Sequence, residues 1–200
     1  YLETAKRLSA KRAKAAKTLT GEVSRLMGQL ALGGGRFEIG LIPLEVDTAH
    51  GLHGLEQVEF RVSGLAGHET RPLAKVVSGG ELSRISLAIQ VVTSQAASVP
   101  TLIFDEVDVG IGGGVAEVVG RLLHGLGRER QVLCVTHLPQ VAACAEWQWQ
   151  VTKHFEGNSV RSSVDALDAD ARVEEIARML GGVEITDITR RHAREMLAGG

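Results

Sequence analysis

Two cysteines in 200 residues, Cys134 and Cys144, are too few for a disulfide framework and point to a reducing, cytoplasmic setting. Cys134 falls within an apolar run and reads as a small buried hydrophobe. Aromatic residues make up only 4% of the chain, so a core must rest on Leu, Val, Ile and Ala, which a hydrophobic fraction of 44% supplies. No apolar run approaches the roughly 18 residues that cross a bilayer, and no signal peptide is recognisable, so the chain itself is expected to make no contact with a membrane. A net charge of −2 gives no global signal for nucleic acid. Internal repeats and low-complexity tracts are absent as well. Most telling, no G-x-x-x-x-G-K-S/T loop occurs, which excludes a complete phosphate-loop nucleotide site within these residues.

What charge there is lies unevenly. Residues 1–25 hold seven basic side chains (Lys6, Arg7, Lys11, Arg12, Lys14, Lys17, Arg25) against Glu3 and Glu22, while the remainder is acidic. A basic arm of this kind either touches nucleic-acid backbone or is a solvated helix face. Apolar residues at Leu2, Ala5, Leu8, Ala13, Ala16, Leu19, Val23, Leu26 and Leu30 recur mostly at steps of three or four, which predicts one helix over 1–31. The spacing suits a coiled-coil arm. Because the pattern is already running at Tyr1, the chain is expected to be cut from something longer. Gly33-Gly34-Gly35 ends the helix.

Alternating segments predict strands over 36–47 and 56–64, with a loop at 65–77. The link His50-Gly51-Leu52-His53-Gly54 holds two histidines but has no second cluster at ligand spacing, so no metal is expected there. A helix is predicted from about Gly80 to Ala97, then a strand at 101–105, a helix at 114–126 with Val115, Val118, Val119, Leu122, Leu123 and Leu126 on one stripe, and a strand at 131–136. Strand, helix, strand in that order implies a parallel sheet, and the continuous apolar character of both strands is that of buried parallel strands. Residues 147–153 and 159–164 read as further strands, and 170–180 and 187–198 as helices.

Three short segments carry chemistry. Ser78-Gly79-Gly80-Glu81-Leu82 opens a helix, whose unpaired N–H groups and partial positive charge suit a phosphate. The glycines let the backbone approach an anion, and Ser78 adds a hydroxyl. Thr101-Leu102-Ile103-Phe104 leads into Asp105 and Glu106. Adjacent strand residues point to opposite sides, so these two take separate roles: Asp105 to hold Mg²⁺, Glu106 to orient or deprotonate an attacking water. Gln131-Val132-Leu133-Cys134-Val135-Thr136 leads into His137, placed to reach a γ-phosphate.

Together these residues resemble the RecN family, the bacterial DNA-repair branch of the SMC-like ABC ATPases. The similarity runs through 72–85 (PLAKVVSGGELSRI), 104–113 (FDEVDVGIGG), 135–142 (VTHLPQVA) and the tail segments 173–182 (VEEIARMLGG) and 192–197 (HAREML), about residues 36–198 in all. The resemblance implies an α/β fold: the C-terminal lobe of an ABC-type, SMC-like ATPase head with a parallel-sheet core over 33–200, preceded by the end of a coiled-coil arm over 1–32. It implies that Ser78, Gly79, Gly80 and Glu81 form the signature motif, that Asp105 is the magnesium residue, Glu106 the catalytic base and His137 the switch histidine. One departure is Gly112, six residues past Glu106, where many such heads carry an aspartate.

The family's cofactors are ATP and Mg²⁺. Its implied partners are the chain's own N-terminal half, which would hold the phosphate loop, a second copy through ATP-sandwiched heads, double-stranded or single-stranded DNA, and recombination proteins, in a cytoplasmic, nucleoid-associated setting. The chain alone is expected neither to bind ATP tightly nor to hydrolyse it. The rival readings are the head of another SMC-like protein, an ABC transporter ATPase subunit, or a module that only clamps nucleotide.

Overall fold

A computed structural model describes residues 1–45, 52–64, 67–75, 79–94, 99–156, 159–181 and 184–199. The chain divides into two compact units, residues 1–98 and 99–200. Among the described residues no helix is long and apolar enough to cross a membrane.

The first unit begins with α1 (Leu2–Gln29), which buries Ala5, Ala16, Val23 and Met27 on one stripe. It packs along β1 (Arg36–Pro43), which pairs antiparallel with β2 (Glu56–Ser63). As β1 is an edge strand, its free backbone groups need partners. The helix supplies them: Ser24 Oγ accepts from the Phe37 N–H at 3.0 Å and donates to the Phe37 carbonyl at 3.2 Å, and Thr20 Oγ1 accepts from the Ile39 N–H at 3.3 Å. Hydroxyls inside a helix thus act as a surrogate strand. The segment expected to be a loop holds a two-residue strand, β3 (Arg71–Pro72), paired with β2, and a 3₁₀ turn at Leu73–Lys75. Helix α2 (Gly79–Val92) follows; it buries Ile85, Leu87 and Ala88 and packs against α1.

The second unit is built on β4 (Thr101–Phe104) and β5 (Gln131–Cys134), parallel and in register from Thr101↔Gln131 to Phe104↔Cys134. Between them runs α3 (Gly113–Gly127). Its buried stripe is Ala116, Val119, Gly120, Leu123 and Leu126, so the packed face is turned from the expected valine stripe, and Val115, Val118 and Leu122 are only half-buried. The turn comes from Gly120, which has no side chain and lets the helix lie against a short helix, α4 (Pro139–Ala142). A Cβ at Gly120 would stand 2.7 Å from Cys144 Sγ and 3.1 Å from the Gln140 carbonyl oxygen. Gly120→Ala should therefore cost about 1–3 kcal/mol, overpacking outweighing the gain in helix propensity. Denaturant unfolding followed by the fluorescence of Trp147 and Trp149, both in this unit, would read it; an unchanged midpoint would show that the helix has room.

An antiparallel hairpin, β6 (Trp149–Glu156) and β7 (Ser159–Ala166), follows, then α5 (Ala169–Gly181) and α6 (Asp187–Gly199). Ile176, Ala177 and Ala193 pack with Ala142 and Ala143 into one apolar cluster. Glu175 ties the hairpin to α5, accepting from Gln150 Nε2 at 2.6 Å and pairing with Arg178. The bond to Glu175 raises the Arg178 guanidinium above its usual value.

Neither β4 nor β5 is buried on both sides, contrary to expectation. Ile103 is 72% exposed and Val135, just past β5, is 63% exposed. Two strands with helices packed on them leave an apolar surface uncovered, and the hairpin repeats this at Trp149, Val151 and Val164.

Candidate functional site

Because β4 and β5 are parallel, their carboxyl ends lie at the same edge, joined there by the Val135 N–H donating to the Phe104 carbonyl at 2.9 Å. Open parallel sheets present ligand sites at that edge. Asp105 and Glu106 do not prolong the strand: β4 ends at Phe104 and both residues lie in the turn beyond it. Asp105 Oδ1 accepts the Glu106 N–H at 2.9 Å. Glu106 sits at φ +58°, in the left-handed region that a residue with a Cβ rarely adopts. Its position relative to Asp105 is thus set by a bent backbone rather than by strand alternation. Strained backbone of this sort clusters where geometry matters to function. Both side chains are exposed.

The chain then dips inward. Val107 is fully buried and anchors the turn, and Asp108 is 2% exposed. Gly110 at φ +73° carries the chain back out towards α3. Asp108 Oδ2 receives the Thr136 hydroxyl at 2.6 Å and the His137 N–H at 3.0 Å, and lies 3.2 Å from His137 Nδ1. The Leu138 N–H in turn donates to Thr136 Oγ1 at 3.1 Å. The segment after Glu106 and the segment after β5 are therefore laced together by one buried carboxylate. His137, expected at the strand end, stands three residues past Cys134 with its side chain 69% exposed.

Cys134 is half-buried at the last position of β5 rather than fully buried mid-strand. Burial, reinforced by the negative charges of Asp108 and Asp105, pushes its thiol up to about 12, so it is protonated and a poor nucleophile at neutral pH.

In the first unit, Gly79 and Gly80 form the first turn of α2, with Glu81 beside them. The start of the helix and Glu81 are placed as the sequence predicts; Ser78 lies outside the described residues. Burial lowers the Arg84 guanidinium from its usual value, and Glu81 opposes that shift. His53 offers its backbone carbonyl to Arg12 at 2.7 Å, and His50 lies outside the described residues.

Among the described residues, no three His, Cys, Asp or Glu side chains converge on one point. That donor set does not suit a protein-enclosed metal. Asp105 alone does suit Mg²⁺, a hard cation that takes one or two carboxylates and completes its shell with water and phosphate oxygens.

The sequence singles out Asp105, Glu106 and His137 and assigns no role to Asp108, which links the turn carrying the first two to Thr136 and His137. No local pattern marks it: Val107 is fully buried, but Val109 on the other side of Asp108 is 46% exposed.

The parallel strand pair with its helices places the chain in a fold class, that of SMC head domains. An Smc head domain with a coiled coil and joint from Pyrococcus yayanosii is similar in fold (TM-score 0.60, 21% identity, 87% of this chain and 31% of that chain). So is a structure described under ATP-driven dimerization and DNA stimulated activation of SMC ATPases (TM-score 0.50, 18% identity, 86% of this chain and 96% of that chain).

Within that class the chain belongs to the RecN family. It is 46% identical over 197 residues to the DNA repair protein RecN of Xylella fastidiosa strain Temecula1, a match that covers 98% of this chain and 35% of that protein. The chain thus spans about a third of the length of the curated relatives it matches. No family model matches it.

Proposed function

We propose that this chain is the part of a DNA double-strand break repair ATPase that supplies the signature motif, the magnesium carboxylate, the catalytic base and the switch histidine. The observation that carries this reading is the edge of the second unit. Glu106 is held at a positive φ beside Asp105, and His137 is clamped to the same turn through Asp108. A surface turn with no task would have no need of a strained glutamate and a tethered, exposed imidazole.

In this reading Ser78, Gly79, Gly80 and Glu81 face the γ-phosphate of nucleotide held by a second head. The N–H groups at the start of α2 are the donors, as helix N-termini are for phosphate. Asp105 holds Mg²⁺, which when bound neutralises charge on the phosphates. Glu106 takes a proton from, or orients, the attacking water. His137 presents its ring to the γ-phosphate, and phosphoryl transfer depends mostly on such positioning and charge stabilisation.

The phosphate loop is supplied by the family's N-terminal half, and the uncovered apolar surface of β4, β5 and the hairpin supports a lobe of that kind packing there. Two heads closing on two ATP molecules form a homodimer, and hydrolysis releases them. The arm is the end of a coiled coil. The neighbour described under ATP-driven dimerization and DNA stimulated activation has the same fold, which supports the dimer and the DNA dependence. Recombination proteins at the break and a place on the cytoplasmic nucleoid belong to the same reading.

DNA is met through phosphates, since no aromatic-lined groove or base-reading motif is present among the described residues. Arg12 is not free for this, because it bonds the His53 carbonyl and Glu56. Arg7, Lys11 and Lys14 are exposed, on the side of α1 away from the buried Ala5, Ala16 and Val23.

The test joins this chain to the N-terminal part of its family and measures ATP turnover with and without linear double-stranded DNA. Turnover should rise with DNA. The triple reversal R7E/K11E/K14E should weaken binding and lower the log–log salt slope by about 0.9 for each phosphate that is no longer neutralised. Turnover indifferent to DNA would move the reading to another ABC-type role.

A further inference from the structure

The buried carboxylate of Asp108 has no chemical role in the mechanism just described. We propose that Asp108 is a positioning residue for hydrolysis: it seats the His137 imidazole by accepting its Nδ1–H, so that Nε2 is the nitrogen presented to nucleotide.

Two donors converge on a single oxygen, Asp108 Oδ2, the Thr136 hydroxyl at 2.6 Å and the His137 backbone N–H at 3.0 Å, and His137 Nδ1 lies 3.2 Å from the same oxygen. Burying a carboxylate is costly unless it is bonded, and the two donors to Oδ2 already offset part of that cost while closing the turn. The Nδ1 contact does something else. It reaches the edge of a ring whose side chain is 69% exposed and would otherwise rotate in solvent. A histidine's tautomer is set by the bond its other nitrogen makes. A carboxylate accepts only, so Nδ1 must carry a proton in this contact, and Nε2 is left to meet a ligand.

The same residue is tied to the segment of the base. The Val109 N–H donates to the Glu106 carbonyl at 3.3 Å, and the Ile111 N–H to the Asp108 carbonyl at 3.4 Å. Val107, fully buried between Glu106 and Asp108, fixes the depth of the turn. Asp108 therefore sets where the switch ring stands relative to the backbone that carries Glu106. The geometry stands on its own; the consequence for turnover rests on the ATPase reading above.

Two measurements separate them. Proton–nitrogen multiple-bond spectra of the histidine-labelled 200-residue chain, with H137Q to assign the ring, report which nitrogen of His137 is protonated. The wild type should show a protonated Nδ1. D108A should shift the proton towards Nε2, and D108N, which keeps the shape and an amide oxygen, should shift it less in the same direction. In the protein joined to its N-terminal part, D108A should lower kcat by about 10²-fold, as a misplacement of about 1 Å does, with KM little changed. D108A/H137A should be no slower than H137A alone, because the two act as a unit. An unchanged tautomer in D108A, or kcat losses that add, would overturn the proposal. If D108A fails to fold, D108N carries both readings. If the joined wild type shows no turnover, the ATPase reading falls and the tautomer still decides what Asp108 does to the ring.

Discussion

Glu106→Gln, made in this chain joined to the N-terminal part of its family, is expected to reduce ATP turnover by about 10²–10⁴-fold, the range for loss of a positioned general base. Nucleotide binding and head closure should persist, since glutamine keeps the size and shape of the side chain and loses the charge and the proton-accepting oxygen. Glu106 sits at φ +58°, which costs a residue with a Cβ about 1–2 kcal/mol. Nothing in the packing requires that cost, because the side chain is exposed and the inward anchor is the next residue, Val107. Glu106→Gly separates strain from chemistry. It should relieve the strain and leave the fold at least as stable, yet lose turnover as fully as the glutamine variant. Steady-state hydrolysis and equilibrium binding of a nucleotide, measured on both variants, decide it. Turnover in Glu106→Gln close to that of the wild type would remove this residue as the base.

The site was legible where chemistry needs a particular residue at a particular strand end. Asp105, Glu106 and His137 each follow an apolar run, and a run of that kind ends where the chain meets solvent. What the sequence could not convey was how the backbone turns there. Strand alternation assigns Asp105 and Glu106 to opposite sides, but β4 stops at Phe104 and a positive φ sets Glu106 instead. Nor does alternation find the partner of His137, since Asp108 comes from a different segment and only folding brings it within 3.2 Å of Nδ1. The long helices begin within a residue or two of where the sequence places them; α2 ends at Val92, the expected end at Ala97 lies outside the described residues, and the short α4 is not anticipated. Their packed faces were less secure: the valine stripe of α3 gave way to Gly120, because the approach of Cys144 and Gln140 rewards the absence of a side chain. The expectation of buried parallel strands failed at Ile103 for a different reason. A continuous apolar run records what a strand is suited to pack against, not which part of a protein does the packing.

Phe37→Ala should cost about 3–5 kcal/mol, the usual penalty for truncating a buried aromatic ring. Phe37 is 1% exposed and lies edge-on to Phe60, with ring centroids 5.4 Å apart and planes at 61°. Val23 and Met27 of α1 are buried in the same unit, and Val62 is the cross-strand partner. The ring fills the place where helix and sheet meet, and the Ser24 hydroxyl holds the backbone of the same residue. Little else can compensate, because a stripe with alanines at Ala5 and Ala16 gives α1 little apolar volume towards its start. Far-UV circular dichroism in urea should show a transition lowered by about 2 M, taking a slope of about 2 kcal/mol/M. The tryptophans, Trp147 and Trp149, lie in the second unit and report on it separately, so a loss seen by helix signal alone belongs to the first. The consequence reaches beyond stability. Helix α1 packs on both β1 and α2, and α2 begins with Gly79 and Gly80. Loosening the arm at Phe37 therefore loosens the seat of the helix whose N–H groups are proposed to meet the phosphate. In the joined protein, Phe37→Ala should raise the ATP concentration needed for head closure at temperatures where it is still folded. A midpoint shifted by less than about 0.5 M, which is about 1 kcal/mol on the same slope, would mean that the arm is held to the sheet by something other than this ring.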